Sequence, residues 1–269
     1  MFQKDYVKRE CNTISYKNEL DKIIHTFKSG KTKVALKRAL KLQDTNNHPD
    51  ISNTIGIFYR MMNKWDLALK AYNAALKLKP KNSSYLNNKA NVLREMGLLD
   101  DATKTYVLAL KFNPTNLRYW CNLAKVCNEN NQFEQAAEAA NKALKIDRTN
   151  IDGLNNLALA LENQQKSQKA LKIYASALKI DPQNSIINSN IGKLYFRINK
   201  IEKAIKYIKK SISCNPNLVE PYYNLCEIYD KTNKLDQFAD TLTLVPVALK
   251  NKPSIQLKKG QLLFRKKKI

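Results

Sequence analysis

A pattern that repeats every 34 residues constrains the fold of this chain more than any other feature of its sequence. Small residues recur at that step in three independent columns. The columns are Gly56, Ala90, Ala124, Ala158, Gly192, Cys226 and Gly260; Ala68, Ala102, Ala136, Ala170 and Ala204; and Ala75, Ala109, Ala143, Ala177 and Ser211. Such a period indicates a stack of similar supersecondary units rather than one globular core.

Each period contains two amphipathic helical blocks, as residues 185–218 illustrate. Their apolar residues are Ile187, Ile191, Leu194 and Tyr195 in the first block, and Ile201, Ala204, Ile205, Ile208 and Ile212 in the second. The polar pair Asn199–Lys200 separates the blocks, and Pro216 disfavours helix just before it. The sequence therefore predicts a short antiparallel helix pair per period. Neighbouring pairs must stack, because one pair cannot bury its apolar faces alone.

The period and its residues resemble the tetratricopeptide repeat (TPR) family. With Pro49 as position 1, the small columns fall at repeat positions 8, 20 and 27, and a proline recurs at position 32. The resemblance covers residues from about 16 to 269. It implies an all-α, right-handed α-solenoid of seven helix-turn-helix pairs with one further helix at the end.

The same register divides the chain. We expect an N-terminal extension over 1–15 and seven TPR units over 16–252, which start near 16, 49, 83, 117, 151, 185 and 219. In the unit 219–252, Phe238 and Val245 fill two of the small positions. Pro246 follows them, so we expect the second helix of that unit to kink or end early.

The end of the chain, 253–269, reads as a half-repeat or capping helix with a basic end. Leu257, Leu262, Leu263 and Phe264 look like core residues that await a partner helix. One interpretation is a solvating cap, and the other is that the chain is a fragment of a longer protein. The same helix also offers a contact for oligomerisation.

In TPR proteins the first helix of each pair lines a concave groove that binds ligands, and this implies a candidate binding site here. An asparagine column at position 6 resembles the asparagine ladder of O-linked N-acetylglucosamine transferase and its bacterial relatives; it comprises Asn88, Asn122, Asn156, Asn190 and Asn224. Amides can hold the main chain of an extended peptide, although the alternative is that they serve helix packing. Further candidates on this face are Asn53, Asn87, Asn91, Lys125, Asn155, Lys193, Phe196, Arg197 and Tyr223.

The net charge of +24 suggests an acidic partner, but its distribution does not favour the groove. In the six units from 49 to 252, first-helix positions 2, 5, 9, 12 and 13 carry seven basic and eight acidic residues. A groove that follows nucleic acid should be a continuous positive stripe. Nucleic acid or an anionic surface is therefore expected to bind only weakly, through the outer face and the basic C-terminus.

Residue types needed for common catalytic sites are scarce. The chain has no glycine-rich phosphate-binding motif, and its only histidines are His25 and His48. The five cysteines show no C-x-x-C spacing, which predicts reduced thiols and a cytoplasmic protein. We therefore expect no enzyme activity, no cofactor, no metal site and no membrane span.

These features predict a non-catalytic scaffold that binds an extended segment of a protein partner in its concave groove. A second hypothesis is a substrate-recognition module of a glycosyltransferase or sulfotransferase whose catalytic domain is not in this chain.

Overall fold

A computed structural model of the chain describes residues 16–266. All regular secondary structure in that range is helical, which confirms the predicted all-α architecture of helix pairs. The chain divides into two compact units, Met1–Gln132 and Phe133–Ile269. The expected extension over 1–15 and the last three residues lie outside the described range.

Between residues 16 and 132, the first unit contains seven helices. We call the first helix of each repeat an A helix and the second a B helix. The A helices are α1 (16–28), α3 (Pro49–Met61), α5 (Ser83–Glu95) and α7 (Leu117–Glu129). The B helices are α2 (Thr32–Thr45), α4 (Trp65–Leu78) and α6 (Leu99–Phe112). From α2 to α7, each helix packs on the next one along the chain.

The second unit continues the same alternation. Its B helices are α8 (Phe133–Ile146), α10 (Ser167–Ile180), α12 (Ile201–Cys214) and α14 (Leu235–Thr243). Its A helices are α9 (Ile151–Asn163), α11 (Ser185–Arg197), α13 (Val219–Lys231) and α15 (Pro253–Lys266). Consecutive helices again pack together, and α15 contacts both α13 and α14.

An asparagine at the last repeat position caps the N-terminus of four of the A helices. The side chains of Asn82, Asn116, Asn150 and Asn184 each accept a hydrogen bond from a backbone N–H in the first turn of the following helix. This contact satisfies an N–H group that the helix itself leaves without a partner. At α3 the ring of His48 plays the same role by accepting from the N–H of Asp50.

A left-handed residue connects the A and B helices at repeat position 15. Gly97 adopts φ of 77° there, and the other five residues have φ between 55° and 62°; they are Asn63, Asn131, Gln165, Asn199 and Asn233. Asparagine and glycine tolerate this conformation, whereas most other residues lose about 1 kcal/mol or more in it. Gln165 is therefore the strained member of the column.

The small columns allow A and B helices to approach closely. An added Cβ at Gly56 would lie 2.6 Å from the ring of Tyr72, and one at Gly192 would lie 2.4 Å from Cγ1 of Ile208. Both contacting side chains belong to the B helix of the same repeat and are fully buried. Tyr106 and Tyr174 occupy the same place in their repeats and are also among the largest fully buried side chains.

The early end predicted for the second helix of unit 219–252 is confirmed. Helix α14 ends at Thr243 after 9 residues, whereas α12 has 14. A short 3-10 helix, Val247–Leu249, follows Pro246. Phe238 and Val245 replace the usual small side chains and are buried in the core that α13, α14 and α15 share.

We expect Gly192→Ala to lower the free energy of unfolding by up to about 2 kcal/mol. Overpacking against Ile208 costs about 1–3 kcal/mol, of which the better helix propensity of alanine returns about 1 kcal/mol. Gly260→Ala is the matched control, because no atom lies within 4 Å of its added Cβ. Urea unfolding followed by circular dichroism measures both, and equal destabilisation would contradict the close packing described for Gly192.

Gln165→Gly should raise the free energy of unfolding by up to about 1 kcal/mol, because glycine adopts positive φ without strain. Gln165 is exposed, so little packing is lost. The reciprocal change Gly97→Gln should destabilise by a similar amount, since its surroundings leave space for a side chain. Thermal unfolding measures the melting temperature of both variants. If both melting temperatures shift in the same direction, backbone strain does not determine the stability of this turn.

Candidate functional site

Successive A helices contact each other through residues 35 apart, which is one repeat plus one residue. The offset joins position 5 of one A helix to position 6 of the next, and position 12 to position 13. The contacts form two rows on the surface made by the A helices within each unit, which we call the A-helix face. Most residues predicted to bind a peptide belong to these rows.

Side-chain amides form the row at positions 5 and 6. In the first unit, Nδ2 of Asn88 donates to Oδ1 of Asn53 over 2.9 Å, and Nδ2 of Asn122 donates to Oδ1 of Asn87, also over 2.9 Å. In the second unit, Nδ2 of Asn190 donates to Oδ1 of Asn155 over 2.8 Å.

The amide of Asn224 makes the loosest of these contacts, 3.4 Å from Oγ of Ser189. Each amide also keeps a second N–H and lone pairs that these bonds do not use. The row therefore serves helix packing, and it leaves hydrogen-bonding capacity where an amide reaches the surface.

The remaining predicted residues differ in how they are placed. Asn156 is buried, and Oδ1 of Asn91 accepts a hydrogen bond from the hydroxyl of Tyr106 over 2.6 Å. Lys125 is exposed. Nζ of Lys193 lies 2.7 Å from a carboxylate oxygen of Glu220. Of these four, Lys125 and Lys193 are the more accessible to a ligand.

Opposite charges form most of the row at positions 12 and 13. In the first unit Arg60 pairs with both carboxylate oxygens of Glu95, and Arg94 lies 3.6 Å from Glu129. In the second unit the order of charges is reversed, because the acidic residue comes first. Oε1 of Glu162 lies 3.2 Å from Nη1 of Arg197.

The row continues towards the end of the second unit. Nζ of Lys231 lies 5.5 Å from the ring centroid of Phe196, at cation–π distance, and Arg265 lies 3.2 Å from Asp230. The near balance of charge counted in the sequence therefore reflects pairing between neighbouring helices. Exposed pairs of this kind contribute about 0–1 kcal/mol each to the free energy of unfolding. Their main effect is therefore to balance the charge of the face and to fix the register of neighbouring helices.

Glu162 is a charged residue of the second unit that the fold buries, with 4% of its surface exposed. Burial raises the pKa of its carboxyl, while the positive charges of Arg197 and Lys193 oppose that rise. The hydroxyl of Tyr174 lies 3.2 Å from its Oε2. Arg197 keeps more than half of its side chain exposed, so it links this buried carboxylate to the surface.

A cavity of about 550 Å³ opens on the A-helix face between α11 and α13. Its polar lining combines three cations with one carboxylate and one amide, namely Lys193, Arg197, Lys231, Glu227 and Asn224. Phe196 and Tyr223 add aromatic surface. The fold thus brings together five of the predicted residues in one concave site, namely Lys193, Phe196, Arg197, Tyr223 and Asn224.

The row of amides ends with a lysine. Lys258 of α15 occupies repeat position 6 and is 2% exposed. Its Nζ lies 2.9 Å from Oε2 of Glu227 and 4.2 Å from the ring centroid of Tyr223. Its hydrogen bond lowers the pKa of the Glu227 carboxyl. A buried charge requires such a partner, so α15 is held on α13 by a specific ion pair.

Sequence reasoning missed the roles of Glu162, Glu227 and Lys258. A signal was present, because pairs 35 residues apart carry opposite charges, such as Arg60 with Glu95 and Asp230 with Arg265. The total charge of the face does not reveal this pattern, because opposite charges cancel in the sum.

Two classes of site are not found between residues 16 and 266. No cluster of three or more His, Cys, Asp or Glu side chains in that range could hold a metal ion. No helix there combines the length and apolar character needed to cross a lipid bilayer.

Comparison with solved structures places this fold among known repeat proteins. A tetratricopeptide repeat protein from Parabacteroides merdae aligns with 93% of this chain and 99% of its own, with 18% identity and a TM-score of 0.81. PilW, described as a widely conserved type IV pilus biogenesis factor, covers 78% of this chain and 97% of its own, with 17% identity and a TM-score of 0.66.

YrrB, described as a TPR protein with an unusual peptide-binding site, covers 68% of this chain and 95% of its own, with 20% identity and a TM-score of 0.54. At these identities the likeness concerns the fold alone. No curated protein matches the chain.

Family models match most of the chain. Three models, each described as tetratricopeptide repeat, match residues 55–116, 117–150, 151–184 and 187–218. The segments 117–150 and 151–184 follow one another at the 34-residue period, and each spans an A helix and the B helix that comes after it. The chain therefore belongs to the tetratricopeptide repeat family.

Proposed function

We propose that this protein is a non-catalytic interaction scaffold that binds an extended segment of a protein partner on the A-helix face. The family to which it belongs consists in general of protein-interaction scaffolds. The observation that carries the proposal is the cavity between α11 and α13, where charged, aromatic and amide side chains converge. Concave sites with a few convergent polar groups are the usual form of ligand pockets.

The chemistry of the cavity favours a segment with an acidic side chain beside an apolar one. Three cations line it, Lys193, Arg197 and Lys231. Each is paired with a carboxylate, Glu220, Glu162 or Glu227 respectively, so an acidic side chain of the segment would share these cations with their present partners. Phe196 and Tyr223 supply flat apolar surface for the neighbouring side chain. Asn224, whose contact to Ser189 is long, would hold the main chain of the segment.

The other amides of the row would add less to binding. Asn190 is 5% exposed and already donates to Asn155. A typical hydrogen bond contributes about 0.5–1.5 kcal/mol net, so the few remaining amide groups would give weak affinity by themselves. The side chains of the cavity therefore set which segment is bound.

A cytoplasmic setting belongs to the same proposal. Burial raises the pKa of the Cys127 thiol to about 11 and that of the Cys226 thiol to about 12. Both thiols therefore stay protonated at neutral pH. Buried, unreactive thiols of this kind are typical of cysteines that serve packing.

The double change Lys193→Ala and Lys231→Ala tests the cavity. Peptides selected from a random 12-residue display library on the wild-type protein are titrated against both proteins by calorimetry. We expect binding of acidic peptides to weaken at least tenfold, because two of the three cations are lost. The free energy of unfolding should change little, since both lysines form exposed ion pairs.

The matched control is Lys206→Ala with Lys210→Ala, which removes the same charge from the exposed surface of α12. If both double variants weaken binding equally, and 0.3 M salt abolishes it, the net charge of the whole protein is the cause and the cavity proposal is wrong.

Asn224→Ala and Asn190→Ala separate the two roles of the amide row. We expect Asn224→Ala to weaken peptide binding severalfold and to leave stability nearly unchanged. Asn190→Ala should instead lower the free energy of unfolding by about 1 kcal/mol, because it removes the hydrogen bond of a buried amide to the half-buried Asn155. Calorimetric titration and urea unfolding of both variants check this, and the opposite ranking would show that the row binds ligand before it packs helices.

A further inference from the structure

Two successive B helices of the second unit, α10 and α12, carry a concentrated group of lysines. Helix α10 contains three lysines and no acidic residue, and α12 contains four lysines and one acidic residue, Glu202. The B helices on either side differ, because α8 has two residues of each charge and α14 has two aspartates and no basic residue. The positive charge is therefore a local feature of α10 and α12 and not a property of every B helix in the unit.

The lysines of the two helices occupy matching places in their repeats. Positions 19 and 22 are lysine in both helices, and positions 25 and 26 of α12 add two more. At position 22 of the flanking helices the charge is reversed, with Glu138 in α8 and Asp240 in α14. We call the exposed lysines at these positions the outer lysine patch; they are Lys169, Lys172, Lys203, Lys206, Lys209 and Lys210.

Packing brings the two halves of the patch side by side. Both α10 and α12 pack on α11, the A helix between them. Leu171 and Leu178 of α10 and Tyr207 of α12 pack against the same hydrophobic core cluster. The sides of α10 and α12 that point away from this cluster therefore form one continuous surface.

The lysines of the patch are not neutralised within the protein. None of the six forms an ion pair with another residue between 16 and 266, whereas pairs such as Glu162 with Arg197 recur on the A-helix face. Like charges three or four residues apart, as along Lys203, Lys206 and Lys210, oppose helix formation. An anionic partner would relieve this repulsion, so the arrangement is suited to binding and not to stability.

An aromatic pair holds one lysine of the patch in place. Nζ of Lys203 lies 5.7 Å from the ring centroid of Tyr195, at cation–π distance. The centroids of the Tyr195 and Tyr207 rings are 5.5 Å apart. Both tyrosines are half-buried, so they position Lys203 and offer little aromatic surface to a ligand.

The residues among the lysines indicate which class of anionic partner fits. Ala175 and Ser176 are exposed at positions 25 and 26 of α10, and Ile180 is the one large apolar side chain exposed on α10 or α12. Protein interfaces usually have an apolar centre, and helices that bind membrane surfaces insert apolar side chains. Single-stranded nucleic acids stack their bases on exposed aromatic rings. The patch has none of these features, whereas lysines alone suffice to contact the phosphates of a duplex.

We propose that the outer lysine patch binds the phosphate backbone of a double-stranded nucleic acid, whatever its base sequence. Lys203 and Lys210 are about 10 Å apart along α12, and duplex DNA carries one charge per about 1.7 Å of its axis, so the patch spans several phosphates. Release of counterions from those phosphates supplies the affinity. The patch is distinct from the cavity between α11 and α13, since Ile208 of α12 lines that cavity from the buried side of the helix. The inference does not depend on the function proposed for the cavity.

Fluorescence anisotropy of a labelled 20-base-pair DNA duplex, titrated with the full chain between 0.05 and 0.2 M salt, tests the proposal. We expect a dissociation constant of about 1–100 micromolar at 0.15 M salt, the usual range of binding without base readout. The logarithm of the affinity should fall against the logarithm of salt concentration with a slope of about −4 to −5, because each phosphate contact contributes about −0.9. Two duplexes of unrelated sequence should bind with affinities within about twofold of each other.

A triple variant locates the binding, and a second one controls for net charge. The patch variant carries Lys203→Gln, Lys206→Gln and Lys210→Gln. We expect it to bind the duplex at least tenfold more weakly at 0.1 M salt, with a slope closer to zero by about 2–3. The control variant carries Lys70→Gln, Lys77→Gln and Lys104→Gln, which remove the same charge from exposed positions of α4 and α6 and should weaken binding less than threefold. Circular dichroism verifies that both variants keep the helix content of the wild type.

Three results would overturn the proposal. Equal loss of affinity in the two triple variants would assign the binding to the net charge of the whole protein. Unchanged affinity of the patch variant would place the binding elsewhere. Vesicles with 30% phosphatidylglycerol, and poly-glutamate, serve as competitors at equal concentrations of anionic groups; if either displaces the labelled duplex as well as unlabelled duplex does, the patch does not select a nucleic acid.

Discussion

Close approach of paired helices at small side chains is the constraint on which the rest of the structure depends. Where Gly192 or Gly56 meets the B helix, even one added carbon atom would lie within 2.4–2.6 Å of a buried side chain. That distance fixes how each pair is assembled. Because the same small positions recur every 34 residues, successive pairs present equivalent surfaces to each other.

Equivalent surfaces explain why polar contacts between A helices recur at an interval of 35 residues. The interval joins Asn155 to Asn190 and, on the same helices, Glu162 to Arg197. Polar groups in such contacts are partly withdrawn from water, and they keep hydrogen-bond partners only if the register is maintained. The polar rows therefore fix register, while the small apolar positions supply the close packing.

Charge pairing between A helices explains how a protein with net charge +24 can present a selective site. Pairing along the A helices neutralises most charges on that face, and it includes Lys193, Arg197 and Lys231 around the cavity, so the site offers cations in fixed positions and not a diffuse positive field. In helix α15, charged side chains hold one helix on another. There Lys258 and Arg265 attach α15 to α13 through Glu227 and Asp230.

The sequence by itself determined the helix pairs, because their signals are local. Pro246 and the capping asparagines act on residues within a turn or two of themselves. The small residues act within their own repeat, as where Gly192 meets Ile208. The strained Gln165 is also visible in the sequence, as the one residue other than Asn or Gly at its repeat position.

Only the tertiary structure decided what the polar residues of the A helices contact. The asparagine column was identified from the sequence, yet whether an amide such as that of Asn190 faces a peptide or a neighbouring helix depends on the distance between helices. The burial of Glu162 and of Lys258 likewise depends on residues about 30 positions away that the packing brings near. Local sequence patterns determine which groups are polar, and the spacing of packed helices determines which of them still have hydrogen-bonding capacity to offer a partner.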